Sequence, residues 1–404
     1  MKIFGETMMN IIHTERKYKM NFKRIFLIIL DSAGIGEAID AKKFGDNGAN
    51  TLKHTIEYGN LNLPYLNWLG LSSLLNEESK TAGYHGILAP VSNGKDTLTG
   101  HLEMMGIETK IPYKVFPDGF PKELLKEIER VSGHSVIGNR VASGTEIIKQ
   151  LGKEHIETGH LIVYTSADSV LQIAAHEEII PLEELYSICE KVREITKRAE
   201  WRVGRVIARP FVGTPGNFTR TANRHDYALD PAGTTVLDEL KQNGYEVIGI
   251  GKIADIFNNK GITASYKTLD NEDGIKKILE IEASSFNGLC FANLNDFDSK
   301  YGHRRDPGGY GRALQRFDAA IPEIVQNLNE DDLLMIAADH GNDPTFKGTD
   351  HTRENVPILM FSKSFKYTGV LPYIGNFADI GASIAKNFNV EMPKIGKDLF
   401  EIFR

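Results

Sequence analysis

Cysteine is nearly missing from this chain: 404 residues contain two, Cys189 and Cys290. They lie far apart and form no metal or disulfide spacing, so a reducing, cytoplasmic compartment is expected. Long apolar runs are missing too. Nothing approaches the ~20 residues of a membrane span. The run Ile25–Leu30 after Lys23-Arg24 imitates a signal peptide, but it ends at Asp31 after six residues, short of the usual ~7–15. Residues 1–20 read as an irregular extension, with Met20 a candidate start. Positive charge is in deficit, with 47 Lys+Arg against 54 Asp+Glu and a net charge of -7, which argues against nucleic acid as a partner. Neither repeats nor low-complexity tracts are present, and no segment calls for an obligatory protein partner. What remains is an ordinary globular composition, 41% hydrophobic and 25% charged, at a length that exceeds one core and implies two domains.

The most informative stretch is Asp339-His340-Gly341-Asn342-Asp343, with Asp350-His351 beyond it. It follows Leu333–Ala338, a short unbroken apolar run that predicts a strand buried on both faces. The Asp-His pair then sits at the carboxyl end of a parallel strand, where open α/β sheets place their sites. An anionic oxygen beside an imidazole suits manganese, zinc or iron. The plain alternative is a turn-capping Asp and a surface His.

Other strands end the same way. Ile25–Leu30 runs into Asp31-Ser32-Ala33-Gly34-Ile35-Gly36, where a dinucleotide fingerprint fails at Ile39. Gly288–Leu294 leads to Asn295-Asp296-Phe297-Asp298 and then to Tyr301–Asp306, which contains His303. Tyr245–Ile250 and Asn355–Phe361 are further strands, and Thr234–Gln242, Ala378–Phe388 and Lys397–Phe403 are helices. Gly249-x-Gly251-x-x-Ala254 matches a nucleotide fingerprint better, which keeps an oxidoreductase as a rival reading. Asn93–Gly106 reads as a loop entering a helix near Thr97. Such a hydroxyl is either an N-cap or a carrier of a phosphoryl group, because free N–H donors and the helix dipole favour negative charge there. It is not a P-loop, since Asp96 stands where Ser or Thr is required.

Between about 110 and 225 the texture changes. Pro112, Pro117, Gly119 and Pro121 lead in, and the strands Leu161–Thr165 and Val203–Ile207 and the helix Leu182–Thr196 follow. This predicts an inserted α+β cap domain, residues 111–224, after an extension at 1–20 and inside a core of 21–110 and 225–404. Arginines gather near its exit (Arg202, Arg205, Arg209, Arg220, Arg224), suited to phosphate or to a solvated basic face. The joint pattern is Asp31, Asp296/Asp298 with His303, and Asp339-His340 with His351 on one sheet edge. That is enough ligands for two divalent ions, with Thr97 as a metal-activated nucleophile. Without metal, so many carboxylates would repel one another.

The segments Ile29–Gly36, Gly94–His101, Asp298 with Tyr301–Asp306, Ala338–Pro344 and Thr349–Thr352 resemble phosphopentomutase of the prokaryotic type, a family within the alkaline phosphatase superfamily. Tyr164–Ser169 and Gly204–Pro210 resemble it in the cap. The likeness covers nearly everything after Met20. It implies an alkaline-phosphatase-like α/β core with a mostly parallel sheet flanked by helices, plus the cap. It further implies Asp31, Asp339 and His340 on one ion, and Asp298, His303 and His351 on the other. The ions would be manganese. Thr97 would carry the phosphoryl group, Ser166 and Val170 would line the sugar pocket, and Arg205 and Arg220 would hold the distal phosphate. The implied activity interconverts ribose or deoxyribose 1- and 5-phosphates through a 1,5-bisphosphate, with a sugar bisphosphate as activator. Leu102 departs from the family's Trp, and a change of packing beside Thr97 is expected. A phosphatase or phosphodiesterase on the same two-metal core, and a metal-stabilised binding protein, are the rivals.

Overall fold

The computed structural model describes residues 21–77, 80–166 and 168–402, so the extension expected at 1–20 lies outside the described residues. Two sheets dominate. Among the described residues the first strands are β1 (Arg24–Leu30) and β2 (Tyr84–Ala89). Next come β3 (Val136–Val141), β4 (Leu161–Thr165), β5 (Val170–His176), β6 (Arg205–Thr214), β7 (Asn217–Arg220) and β8 (His225–Ala228). The chain then adds β9 (Glu246–Ile250), β10 (Ala264–Tyr266), β11 (Gly288–Leu294), β12 (Asp332–Ala337) and β13 (Val356–Phe361).

The larger sheet runs β10-β9-β11-β1-β12-β13-β2, with two short strands beside β2. Its middle is parallel and buried on both faces, which is why β1, β11 and β12 are nearly continuous apolar runs, broken only by Arg24, Asn293 and Asp332. β1 lies between β11 and β12, in register Leu30 to Leu294 and Ile29 to Ala337. The three carboxyl ends are therefore flush. The run Val356–Phe361 forms the expected strand but pairs antiparallel with β12. An apolar run encodes burial, not direction. Of the helix expected over Lys397–Phe403, the described residues make only a 3-10 turn, Leu399–Ile402, since so short a segment barely repays helix nucleation.

The second sheet is β3-β4-β5-β6-β7 with β8 on β6. Leu124, Ile128, Leu185, Ile188 and Val192 come from the helices Lys122–Ser132 and Leu182–Ile195. They pack on one face against Leu171, Ile173, Val206 and Ala208. The helix Gly144–Thr158 covers the other face, with Ile147 and Ile148 against Ile162, Tyr164 and Phe211. The expected strand Val203–Ile207 begins at Arg205 and continues to Thr214. The chain is thus a mixed α/β protein with sheets flanked by helices. Both cysteines are buried free thiols. Among the described residues no helix is long and apolar enough to cross a membrane.

Candidate metal centre

Asp31 is the first residue past β1, and Ser32 beside it is a fully buried non-glycine residue at φ 73. Such strain persists only where the surroundings enforce it. Here the Ser32 N–H donates to Asp339 Oδ1 at 3.0 Å, which ties the turn after β1 to the end of β12. The end of β11 uses a different device. Residues Phe297–Gly302 form a π-helical turn, and the His303 N–H donates to the Asp298 carbonyl at 3.0 Å. In an α-helix, residues five apart point about 140° away from each other. The wider π turn puts Asp298 and His303 on one side.

The six expected ligands converge. His340 Nε2 lies 3.3 Å from Asp339 Oδ2 and 3.5 Å from Asp31 Oδ1. Asp298 Oδ2 lies 3.2 Å from His303 Nε2, and Asp298 Oδ1 lies 3.3 Å from His351 Nε2. Three groups result, Asp31/Asp339/His340, Asp298/His340/His351 and Asp168/His303/His351, each with donors close enough for one ion; His340 thus belongs to two of them, and His303 is grouped with Asp168 rather than with Asp298. The His303 Nδ1 faces the Thr349 carbonyl at 2.7 Å and the His340 Nδ1 faces that of Gly341 at 3.0 Å. Those contacts aim each Nε2 at the cluster, the orientation that ligating histidines need. Asn342 Nδ2 donates to Asp298 Oδ1 at 2.7 Å and is itself bound by Arg305.

The donor set fits a pair of divalent cations. Asp31 Oδ1, Asp339 Oδ2 and His351 Nε2 are buried with no hydrogen-bond partner, a costly state for polar atoms that do not bind something. Burial, then Asp339 and Asp298, push the Asp31 carboxyl up to about 7. Burial would lower the His340 imidazole, but Asp339, Asp298 and Asp31 outweigh it and hold it at about 9. Burial would likewise raise Asp298, but His351 and His303 keep it well below the usual carboxylate range. Charge here is balanced by protons that a cation would replace.

Thr97 opens the helix Thr97–Met104. The cap is Asp96, whose side chain accepts from Thr99 N–H at 3.0 Å, so the Thr97 hydroxyl is spared that task. Its Oγ1 lies 3.1 Å from His340 Nε2. Gly100 allows this approach: a Cβ there would fall 2.0 Å from the Asp339 carbonyl oxygen. His101 is fully buried, with Nδ1 2.9 Å from the Thr97 carbonyl and 3.2 Å from Asp339 Oδ2. Leu102 is a core residue at 2% exposure.

A cavity of about 330 Å³ opens over the cluster between the two sheets, lined by Thr97, Val170, Arg205, Lys252, His303 and His351 among others. Ser166 is not among its lining residues; its hydroxyl accepts from the Asp168 N–H at 3.3 Å. Arg220 lines a different pocket, with Arg209 and Arg224. Two cleft residues escaped the sequence reading. Asp168, from the second sheet, brings its Oδ1 3.9 Å from His303 Nε2; it sat inside a quoted motif without a role. Lys252 sat inside the stretch that resembled a nucleotide fingerprint. Gly251 there has φ 74, and a Cβ on it would fall 2.4 Å from the Asn293 carbonyl. That glycine serves the approach to β11, which leaves the nucleotide motif without its structural reason.

A family model described as the metalloenzyme superfamily matches residues 23–392. Among solved structures, a Pyrococcus horikoshii protein is similar at 16% identity, covering 94% of this chain and 100% of its own, with TM-score 0.48. A Leishmania mexicana phosphoglycerate mutase is similar at 11% identity, with 95% and 98% covered and TM-score 0.47. A Vibrio parahaemolyticus protein of the alkaline phosphatase superfamily is similar at 12%, with 94% and 70% covered and TM-score 0.45.

Proposed function

The chain belongs to the metalloenzyme superfamily, and from that footing we propose that it is a phosphopentomutase. In this reading it interconverts ribose or deoxyribose 1-phosphate and the 5-phosphate, as an intramolecular phosphotransferase. The observation that carries the reading is Thr97 Oγ1, uncapped at a helix start and 3.1 Å from a buried candidate ligand, His340. Asp31, Asp339 and His340 would hold one cation, and Asp298, His303 and His351 the other, most simply manganese. Bound cations supply neutralisation of the transferring phosphoryl group and of the oxygens on either side of it.

The chain's own groups do the rest. Thr97 sits where the positive end of its helix favours added phosphate. Phosphorylated Thr97 donates to the free hydroxyl of the bound monophosphate. The bond from phosphorus to Thr97 Oγ1 breaks, the bond to the sugar oxygen forms, and the hydroxyl proton ends on Thr97. The resulting 1,5-bisphosphate turns over, and Thr97 accepts its other phosphoryl group. Val170 lines the sugar's side of the cleft, while Arg205 and Lys252 face its charge. Closing the cleft from above keeps water from the phosphothreonine, which separates a mutase from a phosphatase. A sugar bisphosphate would prime Thr97.

The test is to incubate the manganese-loaded protein with ribose 1-phosphate and a trace of sugar bisphosphate. Ribose 5-phosphate should form faster than free phosphate. Free phosphate as the main product would replace this reading with that of a phosphatase on the same centre.

A further inference from the structure

Arg305 is not among the residues lining the Thr97 cleft, yet it ties together the segments that carry Asp298, His303 and His351. It comes two residues after His303, where the π-helical turn hands over to the helix Pro307–Asn327. Its backbone is left-handed, at φ 52. A non-glycine residue keeps that conformation only where its surroundings enforce it. Here its own side chain is fully engaged. Nε donates to the Gly348 carbonyl at 2.5 Å, and Nη2 donates to that of Asp350 at 2.8 Å. Nη1 reaches the Gly302 carbonyl at 2.8 Å and Asn342 Oδ1 at 2.5 Å.

These acceptors belong to three segments. Gly302 ends the turn that carries Asp298 and precedes His303. Asn342 donates onward to Asp298 Oδ1 at 2.7 Å, and a Cβ on Gly302 would fall 2.8 Å from the Asn342 amide. Gly348 and Asp350 lie on an exposed loop that leads into His351. Between them the Thr349 carbonyl faces His303 Nδ1 at 2.7 Å. Three successive carbonyls of the loop are thus taken by His303 and Arg305. The loop lies outside the sheet, after β12 ends at Ala337 and before β13 begins at Val356. By contrast, Asp31, Asp339 and His340 follow closely on β1 and β12, whose pairing sets their register.

We infer that Arg305 is the positioning residue for one cation of the pair, the one assigned to Asp298, His303 and His351. Its guanidinium fixes the π turn, Asn342 and the His351 loop relative to one another, and so presets the donors of that ion and not of the other. The inference rests on the two-cation reading of the centre, and not on the identity of the sugar. Arginine suits the task because a rigid fork of N–H donors meets several oxygens from different directions at once. A lysine ammonium is a point charge on a flexible stem. Partners that hold metal ligands in place are worth roughly 10–100-fold in metal affinity.

The test titrates the metal-free full chain with manganese by calorimetry. The unmodified protein should take up two ions. In Arg305→Lys and Arg305→Ala one ion should bind as before and the other at least tenfold more weakly. Arg304→Gln, which removes the exposed neighbouring cation, should change neither. Millimolar guanidinium should restore the weakened ion to Arg305→Ala. If the alanine variant does not fold, Arg305→Lys decides by the titration. Equal weakening of both ions, no weakening of either, or full affinity in Arg305→Lys overturns the inference. Turnover gives a second reading. The manganese concentration for half-maximal rate should rise at least tenfold in Arg305→Lys, with kcat at saturating manganese kept within about threefold. A loss of kcat that excess manganese does not restore would make Arg305 a general structural residue and overturn the inference. Free phosphate in place of ribose 5-phosphate would sink the proposed mutase and leave the titration standing. An unmodified chain that binds a single ion would sink both.

Discussion

Thr97 Oγ1 and His340 Nε2 lie 3.1 Å apart, although 243 positions separate them in the chain. In the proposed reaction that proximity puts the threonine hydroxyl at the chemical centre of the site. Thr97→Ala should cut turnover by a factor of about 10³ or more while leaving manganese binding intact. Activity assays and a metal titration check this together. Normal turnover in that variant would refute a covalent role for Thr97.

Gly100 sets how closely the Thr97 helix can approach β12. With a Cβ falling 2.0 Å from the Asp339 carbonyl oxygen, Gly100→Ala must push the helix outward. A displacement near 1 Å is worth on the order of 10² in rate. The overpacking should cost about 1–3 kcal/mol of stability. Turnover number and thermal midpoint should both fall; unchanged turnover would show that Thr97 tolerates displacement.

Asp31 is fully buried and crowded by Asp339 and Asp298. In metal-free protein its carboxylate opposes folding, whereas in the proposed loaded protein it would be a ligand. Asp31→Asn should therefore raise the thermal midpoint in EDTA by about 2 °C or more. It should also shrink the increase that manganese produces in the unmodified chain. Calorimetry with and without metal reads both changes, and a lower midpoint in EDTA would show that the carboxylate is not under stress.

Far from the site, burial drives the Glu282 carboxyl up to about 8 from an ordinary 4.5. The folded chain keeps this proton while the unfolded chain loses it near 4.5. Its contribution to stability is therefore neutral below that pH, and grows more unfavourable until about 8. Glu282→Gln should stabilise the protein by about 1–3 kcal/mol more at pH 8 than at pH 5. Denaturant midpoints at the two pH values measure it, and an equal effect at both would mean that Glu282 ionises normally in the fold.

Much of this was legible from residue order. The runs before Asp31, Asn295 and Asp339 announced buried strands because strands covered on both faces are almost entirely apolar. What stayed hidden depended on partners distant in sequence. Nothing in Val356–Phe361 says that it runs against β12, and nothing in Asp298-x-x-x-x-His303 says that a π turn brings those two side chains together. Asp96 and Thr97 are both good caps by type, so only the structure shows that Asp96 takes the duty. Arg205 and Arg220 looked like one phosphate clamp, yet they line separate pockets. Ser166 stood among the expected cleft residues, but its hydroxyl is turned to its own loop.

The position of β1 also bears on how this protein is made. Among the described residues β1 comes first, yet it lies between two strands that follow it by hundreds of residues: Asp31 meets Asn293 across 262 positions, and Ser32 meets Asp339 across 307. Early in translation β1 has neither neighbour, and its apolar edge waits through the synthesis of the whole second sheet. Loop closures this long are slow. A growing chain has a long interval in which β1 is open to wrong pairing, and chaperone dependence should be read from nascent chains stopped before residue 332.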